Sequence, residues 1–205
     1  MVPPGLLRII TEVRNKKKYG KIEEKTYSYS DKIEVFKKMT YKELGKYETL
    51  DYIETAKYMS TLPYVDKDRI GIFGWSYGGF MTTSLMTKHQ DVFKVGVAGG
   101  PVIDWELYEV MYTERYMDHP RANIDGYRQS TVFEHLDGLS SKLMLVHGMA
   151  DDNVLYTHST QLYRALQARK LPFEMMAYPG SKHALQEQDV SIHRFNLILD
   201  FFNRH

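Results

Sequence analysis

The feature that most constrains this chain is a serine placed among glycines between two apolar stretches, in RIGIFGWSYGGFMTTSLM at residues 69–86. GWSYG matches the pattern G-x-S-x-G, and it lies between a predicted strand and a predicted helix. So tight a turn holds its serine in a strained conformation with the hydroxyl exposed. A side chain two residues before or after would collide with nearby backbone, so Gly74 and Gly78 are both expected to be required. The motif predicts a nucleophile at Ser76.

Predicted strands and helices alternate along the rest of the chain. The strands are expected at residues 68–74, 93–101, 142–148 and 173–179, and the helices at 47–60, 78–89, 158–170 and 189–205. The first helix is expected to bury the apolar residues that recur every three positions: Leu50, Ile53, Ala56 and Met59. Alternation of this kind predicts parallel βαβ units, hence an α/β fold with a mostly parallel sheet and helices on both faces. The tyrosine-rich segment 103–135 interrupts it and is predicted to be an insertion over one sheet edge.

Composition excludes several classes of function. The 205 residues suit one domain, and 27 basic against 26 acidic residues leave a net charge of +1, so no global field favours nucleic acid. The absence of cysteine excludes disulfides, thiolate metal sites and cysteine nucleophiles. No apolar run approaches the roughly 20 residues that span a bilayer. The N-terminus lacks the apolar core of an export signal. The sequence as given therefore predicts a cytoplasmic chain, but it does not settle the compartment.

A serine hydroxyl needs a base, and the base needs a carboxylate to orient it. Asp151 or Asp152 follows the third strand in HGMADDNV, and His183 follows the fourth strand. Both positions lie at carboxyl ends of strands, where an open α/β sheet collects its reactive groups. His147, inside the third strand, is interpreted as structural. The histidines show no ligand spacing, so no metal site is expected.

Four segments resemble the catalytic domain of the prolyl oligopeptidase family of serine peptidases, in its dipeptidyl peptidase branch: GWSYGG, WELYEVMYTERYM, HGMADDNV and the loop of His183. The resemblance implies the α/β-hydrolase fold over residues 35–205, as the C-terminal part of that domain. Residues 1–34 show no such resemblance and are interpreted as a polar leader of unclear order.

The same resemblance assigns roles to individual residues. It implies that Ser76 is the nucleophile, Asp151 the acid and His183 the base, with the backbone N–H of Tyr77 as an oxyanion donor. It implies no cofactor. A peptide with proline or alanine at its second position is the implied substrate.

A small apolar pocket that grips proline is also implied by the resemblance. Aromatic walls suit a flat, compact pyrrolidine ring. Judged on residue pattern alone, the same aromatic segment would be core packing. Asn153 would contact the substrate carbonyl. The implied substrate-binding residues are Trp105, Tyr108, Tyr112, Val102, Asn153 and Val154, with Tyr77 beside them.

Parts that the family carries are not found in this sequence. They are the N-terminal β-propeller with its pair of glutamates, the first strands of the hydrolase sheet, and a tyrosine that supplies the second oxyanion donor. We therefore expect a truncated chain with weak or no activity on its own. Relatives are often homodimeric, and are periplasmic, membrane-anchored or extracellular.

Three functions remain open from the sequence. The first is a serine exopeptidase that releases X-Pro or X-Ala dipeptides. The second is a generic esterase or acyl-peptide hydrolase of the same fold, which the elbow and triad fit equally well. The third is a non-catalytic remnant or interaction module, which the missing parts favour.

Overall fold

The computed structural model describes residues 39–205, so the predicted leader at residues 1–34 and the predicted domain start at residue 35 lie outside it. The described residues form one parallel sheet in which the strands neighbour one another in chain order. Its strands are β1 (Gly71–Trp75), β2 (Val95–Gly99), β3 (Lys142–Gly148) and β4 (Glu174–Tyr178). All four predicted strands and the parallel sheet are therefore confirmed.

Six α-helices connect and cover the strands within the described residues. They are α1 (Lys46–Met59), α2 (Tyr77–Lys88), α3 (Val110–Met117), α4 (Ile124–Ser130), α5 (Thr157–Ala168) and α6 (Gln188–Arg204). The four predicted helices correspond to α1, α2, α5 and α6. None of the helices within residues 39–205 combines the length and apolar character needed to cross a membrane.

The two faces of the sheet pack against separate apolar clusters. Alternate side chains of a strand point to opposite faces, so Leu143 and Leu145 of β3 enter one cluster while Met144 and Val146 enter the other. Helix α6 covers the second face, and the remaining helices contribute to the first. This arrangement confirms the predicted helices on both faces, which is the layering of an α/β-hydrolase sheet.

The buried stripe of α1 differs from the predicted one. Thr49, Ile53 and Ala56 are buried, whereas Leu50 is 51% exposed and Met59 is 36% exposed. Each residue turns a helix by about 100°, so positions 50 and 59 lie on opposite sides of it. A spacing of three residues cannot keep one face over four repeats, and the stripe follows the i, i+4, i+7 pattern instead.

The segment 103–135, which the sequence predicted to be an insertion over a sheet edge, contributes Ile103, Trp105, Met117, Tyr127 and Val132 to the first core. It contains α3, α4 and two 3₁₀ helices, Trp105–Leu107 and Pro120–Ala122, and a third 3₁₀ helix, Val132–Gly138, begins within it. The last of these packs against α2, which itself covers β1 and β2. The segment therefore holds its aromatic side chains beside the end of β1.

Candidate active site

Ser76 occupies the sharp turn between β1 and α2. Its backbone has φ 60° and ψ −117°, a conformation that a residue with a Cβ rarely adopts and that costs about 1–3 kcal/mol. The Ser76 N–H donates to the carbonyl of Gly99 on the neighbouring strand at 2.8 Å. The turn is thus strained and fixed to β2, as the motif predicted for a nucleophile elbow.

The glycines of the motif have unequal reasons to be there. A Cβ on Gly74 would lie 2.1 Å from the carbonyl oxygen of Gly78, whereas a Cβ on Gly78 would have nothing within 4 Å. Gly79 is the second crowded position, because a Cβ there would lie 2.7 Å from the carbonyl oxygen of Gly99. The expected requirement for glycine therefore holds at Gly74 and is wrong at Gly78. Because α2 approaches β2 closely, the second position that requires glycine is Gly79, one residue after Gly78.

Asp151 and His183 meet beyond the ends of β3 and β4. Nδ1 of His183 lies 2.6 Å from Oδ2 of Asp151. The other carboxylate oxygen accepts from the backbone N–H groups of Asn153 and Val154 at 2.9 and 3.0 Å. Burial by itself would raise the pKa of Asp151, but hydrogen bonds from His147, His183 and Asn153 hold it well below its usual range. The carboxylate is thus ionised, so the proton of this pair is on Nδ1 of His183.

Asp152, the other carboxylate that the sequence offered, points elsewhere. It is exposed and pairs with Lys182 at 2.5 Å. This ion pair holds the pKa of Asp152 below its usual range. Of the two neighbouring aspartates, only Asp151 contacts His183.

The loop of His183 is held by residues that sequence reasoning did not single out. The indole Nε1 of Trp75 donates to the carbonyl of His183 at 2.8 Å. The guanidinium of Arg194 lies 4.9 Å from the centre of the Trp75 ring and donates to the carbonyl of Ala184 at 3.1 Å. The bonded residues Trp75 and His183 are 108 positions apart, so no local sequence pattern indicated this role.

The imidazole of His183 lies close to the serine turn. A Cβ on Gly100 would be 3.1 Å from Cε1 of His183, and the preceding residue, Gly99, accepts the Ser76 N–H. Within residues 39–205, neither the Ser76 hydroxyl nor Nε2 of His183 has a hydrogen-bond partner in the structure. Catalytic hydrogen bonds are often long before substrate binds, so both atoms stay available for the contact.

Tyr77 is the first residue of α2, directly after Ser76. The first N–H groups of a helix have no partner within it, and the helix dipole adds partial positive charge at that end. The N–H of Tyr77 can therefore donate to an anionic oxygen that forms beside the serine.

The predicted pocket residues form an aromatic cluster next to this helix end. The rings of Trp105 and Tyr112 stack at 5.8 Å with 15° between their planes. Tyr108 meets both rings edge-on, and the Tyr77 ring lies 5.7 Å from that of Trp105. The structure therefore brings the predicted aromatic residues together.

Members of this cluster differ in access to solvent. Val102, Trp105 and Val154 are buried and belong to the first core. Tyr108 and Tyr112 are partly exposed. The Tyr108 hydroxyl donates to Oδ1 of Asn153 at 2.7 Å, which links the aromatic segment to the loop of Asp151.

Ionisation of the partly exposed tyrosines is unfavourable. Burial, reinforced by neighbouring tyrosines, raises the pKa of Tyr112 to about 12. Burial and nearby carboxylates also raise the pKa of Tyr108. Both hydroxyls are therefore protonated near neutral pH, and the cluster is an uncharged surface. No group of three His, Asp or Glu side chains in the described part of the chain is arranged to hold a metal ion.

Comparison with known proteins identifies relatives of the chain. A family model described as the prolyl oligopeptidase family matches residues 30–205. Dipeptidyl peptidase 4 of Sus scrofa is 38% identical over 164 residues, which is 78% of this chain and 21% of that protein. Dipeptidyl peptidase 8 of Mus musculus is 35% identical over 154 residues, 73% of this chain and 17% of that protein.

The solved structures extend this similarity to the fold. The crystal structure of Porphyromonas gingivalis dipeptidyl peptidase 4 superimposes with a TM-score of 0.79 at 37% identity and covers 82% of this chain. The chain covers 24% of that structure, and so spans a quarter or less of each of these three proteins. The matched share of the sequence, together with the parallel sheet and its serine elbow, places the chain in the prolyl oligopeptidase family.

Proposed function

We propose that the chain carries the catalytic residues of a serine exopeptidase that releases X-Pro or X-Ala dipeptides from peptide N-termini. The observation that carries the proposal is the 2.6 Å hydrogen bond between His183 and Asp151, beside the strained turn of Ser76. The similarity to dipeptidyl peptidases supports the reaction class.

In the proposed reaction, the Ser76 hydroxyl attacks the carbonyl carbon of the scissile peptide bond. Nε2 of His183 takes the hydroxyl proton, and Asp151 stabilises the imidazolium that forms. The N–H of Tyr77 donates to the oxyanion. The same imidazolium then gives its proton to the leaving amine, which produces an acyl-enzyme that water hydrolyses in a second, equivalent cycle.

Preference for proline would come from the aromatic cluster. Tyr108 and Tyr112 offer flat, uncharged walls backed by the buried Trp105. A pyrrolidine ring can pack there with little loss of conformational freedom. Asn153 lies at the rim, where its amide can donate to a substrate carbonyl while Oδ1 accepts from Tyr108.

Turnover by this chain alone is expected to be slow. Within residues 39–205 we assign one oxyanion donor, Tyr77. Removal of one donor from a pair costs about 100- to 1000-fold in turnover.

The test is hydrolysis of an X-Pro chromogenic amide and of a short acyl ester by the purified chain and by Ser76→Ala. We expect the amide to be cleaved, slowly, and the activity to be lost in Ser76→Ala. Ser60→Ala, which removes a hydroxyl at the end of α1, is the matched control and should retain activity. Cleavage of the ester alone would favour a generic esterase. Cleavage of neither substrate would favour a non-catalytic remnant.

A further inference from the structure

A second histidine contacts the carboxylate of Asp151. His147 lies on β3 and is completely buried. Its Nε2 is 3.0 Å from Oδ2 of Asp151 and 2.9 Å from the carbonyl oxygen of Val154. Its Nδ1 is 2.7 Å from the hydroxyl of Ser159, which is also completely buried, on α5.

These partners fix where the protons of the His147 ring are. An ionised carboxylate and a backbone carbonyl can only accept hydrogen bonds, so Nε2 of His147 must carry a proton. With the ring proton on Nε2, Nδ1 is an acceptor and the Ser159 hydroxyl donates to it. A hydroxyl can donate or accept, so the two acceptors at Nε2 select this tautomer, and the Ser159 hydroxyl satisfies the lone pair that it leaves on Nδ1.

The shared acceptor makes this contact more than core packing. His147 and His183 both donate to Oδ2 of Asp151, while the backbone of residues 153 and 154 holds Oδ1. If the Asp151 carboxylate rotated about its Cβ–Cγ bond, Oδ2 would move away from His147 and from His183 at the same time. The rings of His147 and Tyr156 lie perpendicular to each other with their centres 5.4 Å apart, so the imidazole itself is confined.

We propose that His147 is a positioning residue for the Asp151–His183 pair, and that the Ser159 hydroxyl holds the His147 ring in place through Nδ1. A chain of hydrogen bonds then runs from Ser159 on α5, through His147 on β3, to the carboxylate that orients the base. The proposal rests on the proposed function only for its effect on Ser76, because the hydrogen-bonded chain itself is independent of catalysis.

The first experiment is ¹⁵N and ¹H NMR of the imidazole groups in the full chain, assigned with His147→Gln and His183→Ala. We expect His147 to be protonated on Nε2 with Nδ1 as an acceptor, and His183 to show a low-field Nδ1 proton protected from exchange with water. A His147 ring protonated on Nδ1 alone would overturn the proposal. Absence of the protected His183 proton would also overturn it.

The second experiment separates hydrogen bonding from space filling. His147→Phe removes the donor, whereas His147→Gln can place an amide N–H where Nε2 stands. In His147→Phe we expect the His183 Nδ1 proton to broaden or disappear. The rate at which a fluorophosphonate labels Ser76 should fall about ten- to a hundredfold, as expected of a slightly misplaced catalytic group.

His147→Gln should restore most of the His183 Nδ1 proton signal and most of the rate at which the fluorophosphonate labels Ser76. His158→Phe is the matched control, because it deletes an equally buried imidazole that makes no hydrogen bond to Asp151. It should leave the His183 proton in place. If His147→Phe behaves like wild type, or if a folded His147→Gln behaves like His147→Phe, the positioning role is refuted.

If His147→Phe does not fold, Ser159→Ala decides the question. Loss of the hydroxyl should broaden the His147 signals and speed exchange of the His183 Nδ1 proton, and unchanged spectra would contradict the proposal. Failure of the proposed function looks different: wild-type Ser76 would not react with the fluorophosphonate, while the NMR spectra would still decide the role of His147.

Discussion

The hydroxyl of Tyr77 donates a 2.6 Å hydrogen bond to Oε1 of Glu48, which joins α1 to the residue directly after the candidate nucleophile. Burial raises the pKa of Tyr77 well above its ordinary value, and the charge of Glu48 acts in the same direction. The other oxygen of Glu48 accepts the backbone N–H of Gly45 at 3.2 Å. The N-terminal turn of α2, which carries the proposed oxyanion donor, is thus tied to α1 by this side-chain contact.

A double-mutant cycle should measure this contact. Hydrogen bonds to charged groups contribute about 1.5–3 kcal/mol, so Tyr77→Phe and Glu48→Ala should be coupled by an interaction free energy of that size in urea unfolding. Glu54→Ala, on the same helix, should combine additively with Tyr77→Phe. A coupling below about 0.5 kcal/mol, the usual error of additivity, would mean that the contact does not stabilise the fold.

The two glycines that flank Ser76 in the motif should respond differently to alanine. Gly74→Ala places a Cβ 2.1 Å from the Gly78 carbonyl oxygen and should cost about 1–3 kcal/mol or prevent folding. Gly78→Ala meets open space in a helix, where alanine replaces glycine with a gain of up to about 1 kcal/mol. Chemical unfolding of both variants is the measurement. Equal destabilisation would show that the turn relaxes around either side chain.

The strand-to-helix turn was predictable because a short motif fixes its geometry. The apolar runs before and after Ser76 set β1 and α2, and the strain follows from the turn itself. The requirement at Gly79 was missed because it depends on how closely α2 approaches the end of β2. A sequence pattern along one segment carries no information about that distance.

The site residues were more predictable from the sequence than the partners that hold them. The order of Ser76, Asp151 and His183 along the chain, at the ends of strands, indicated a triad. His147 was interpreted as structural because one histidine in a strand gives no sign of its partners. Its contact with Asp151 depends on a turn of the chain after β3, and its contact with Ser159 depends on the packing of α5.

Asp151→Asn should be far more harmful than Asp152→Asn. Four donors converge on the Asp151 carboxylate, two on each oxygen. In asparagine one of these oxygens is replaced by an NH₂ group, which is itself a donor, so two of the four hydrogen bonds would be lost. We expect turnover of the X-Pro amide to fall about 10³- to 10⁴-fold. Asp152→Asn removes only an exposed ion pair with Lys182 and should change the rate little. The reverse ranking would refute the assignment of the acid.

Tyr108 should affect peptide cleavage more than ester cleavage. Tyr108→Ala removes a pocket wall and the bond to Asn153, whereas Tyr108→Phe removes only the bond. The aromatic contact contributes about 0.5–1.5 kcal/mol beyond burial, so kcat/KM for the X-Pro amide should fall at least several-fold in Tyr108→Ala. Hydrolysis of a short ester, which leaves the pocket empty, should change less. Equal losses on both substrates would indicate a folding defect in place of lost specificity.

His158 should make the stability of the fold depend on pH in mildly acidic solution. Its side chain is completely buried on α5, and Nδ1 accepts the backbone N–H of Ile103 at 3.2 Å. Burial lowers the pKa of His158 to about 4. In the unfolded chain the group titrates near its ordinary value of about 6.5.

Between these two values the unfolded chain binds a proton that the folded chain does not. The free energy of unfolding should therefore fall as the pH drops from about 6.5 to about 4, and the His158 contribution to this loss is on the order of 3 kcal/mol. His158→Asn keeps an acceptor for the N–H of Ile103 and cannot titrate. At pH 8, where His158 is neutral in both states, the difference in unfolding free energy between wild type and His158→Asn measures the stability that the substitution itself removes. Below pH 6.5 the wild type should lose stability more steeply than the variant, in thermal or urea unfolding. Parallel profiles would mean that His158 is protonated in the folded chain as readily as in the unfolded one.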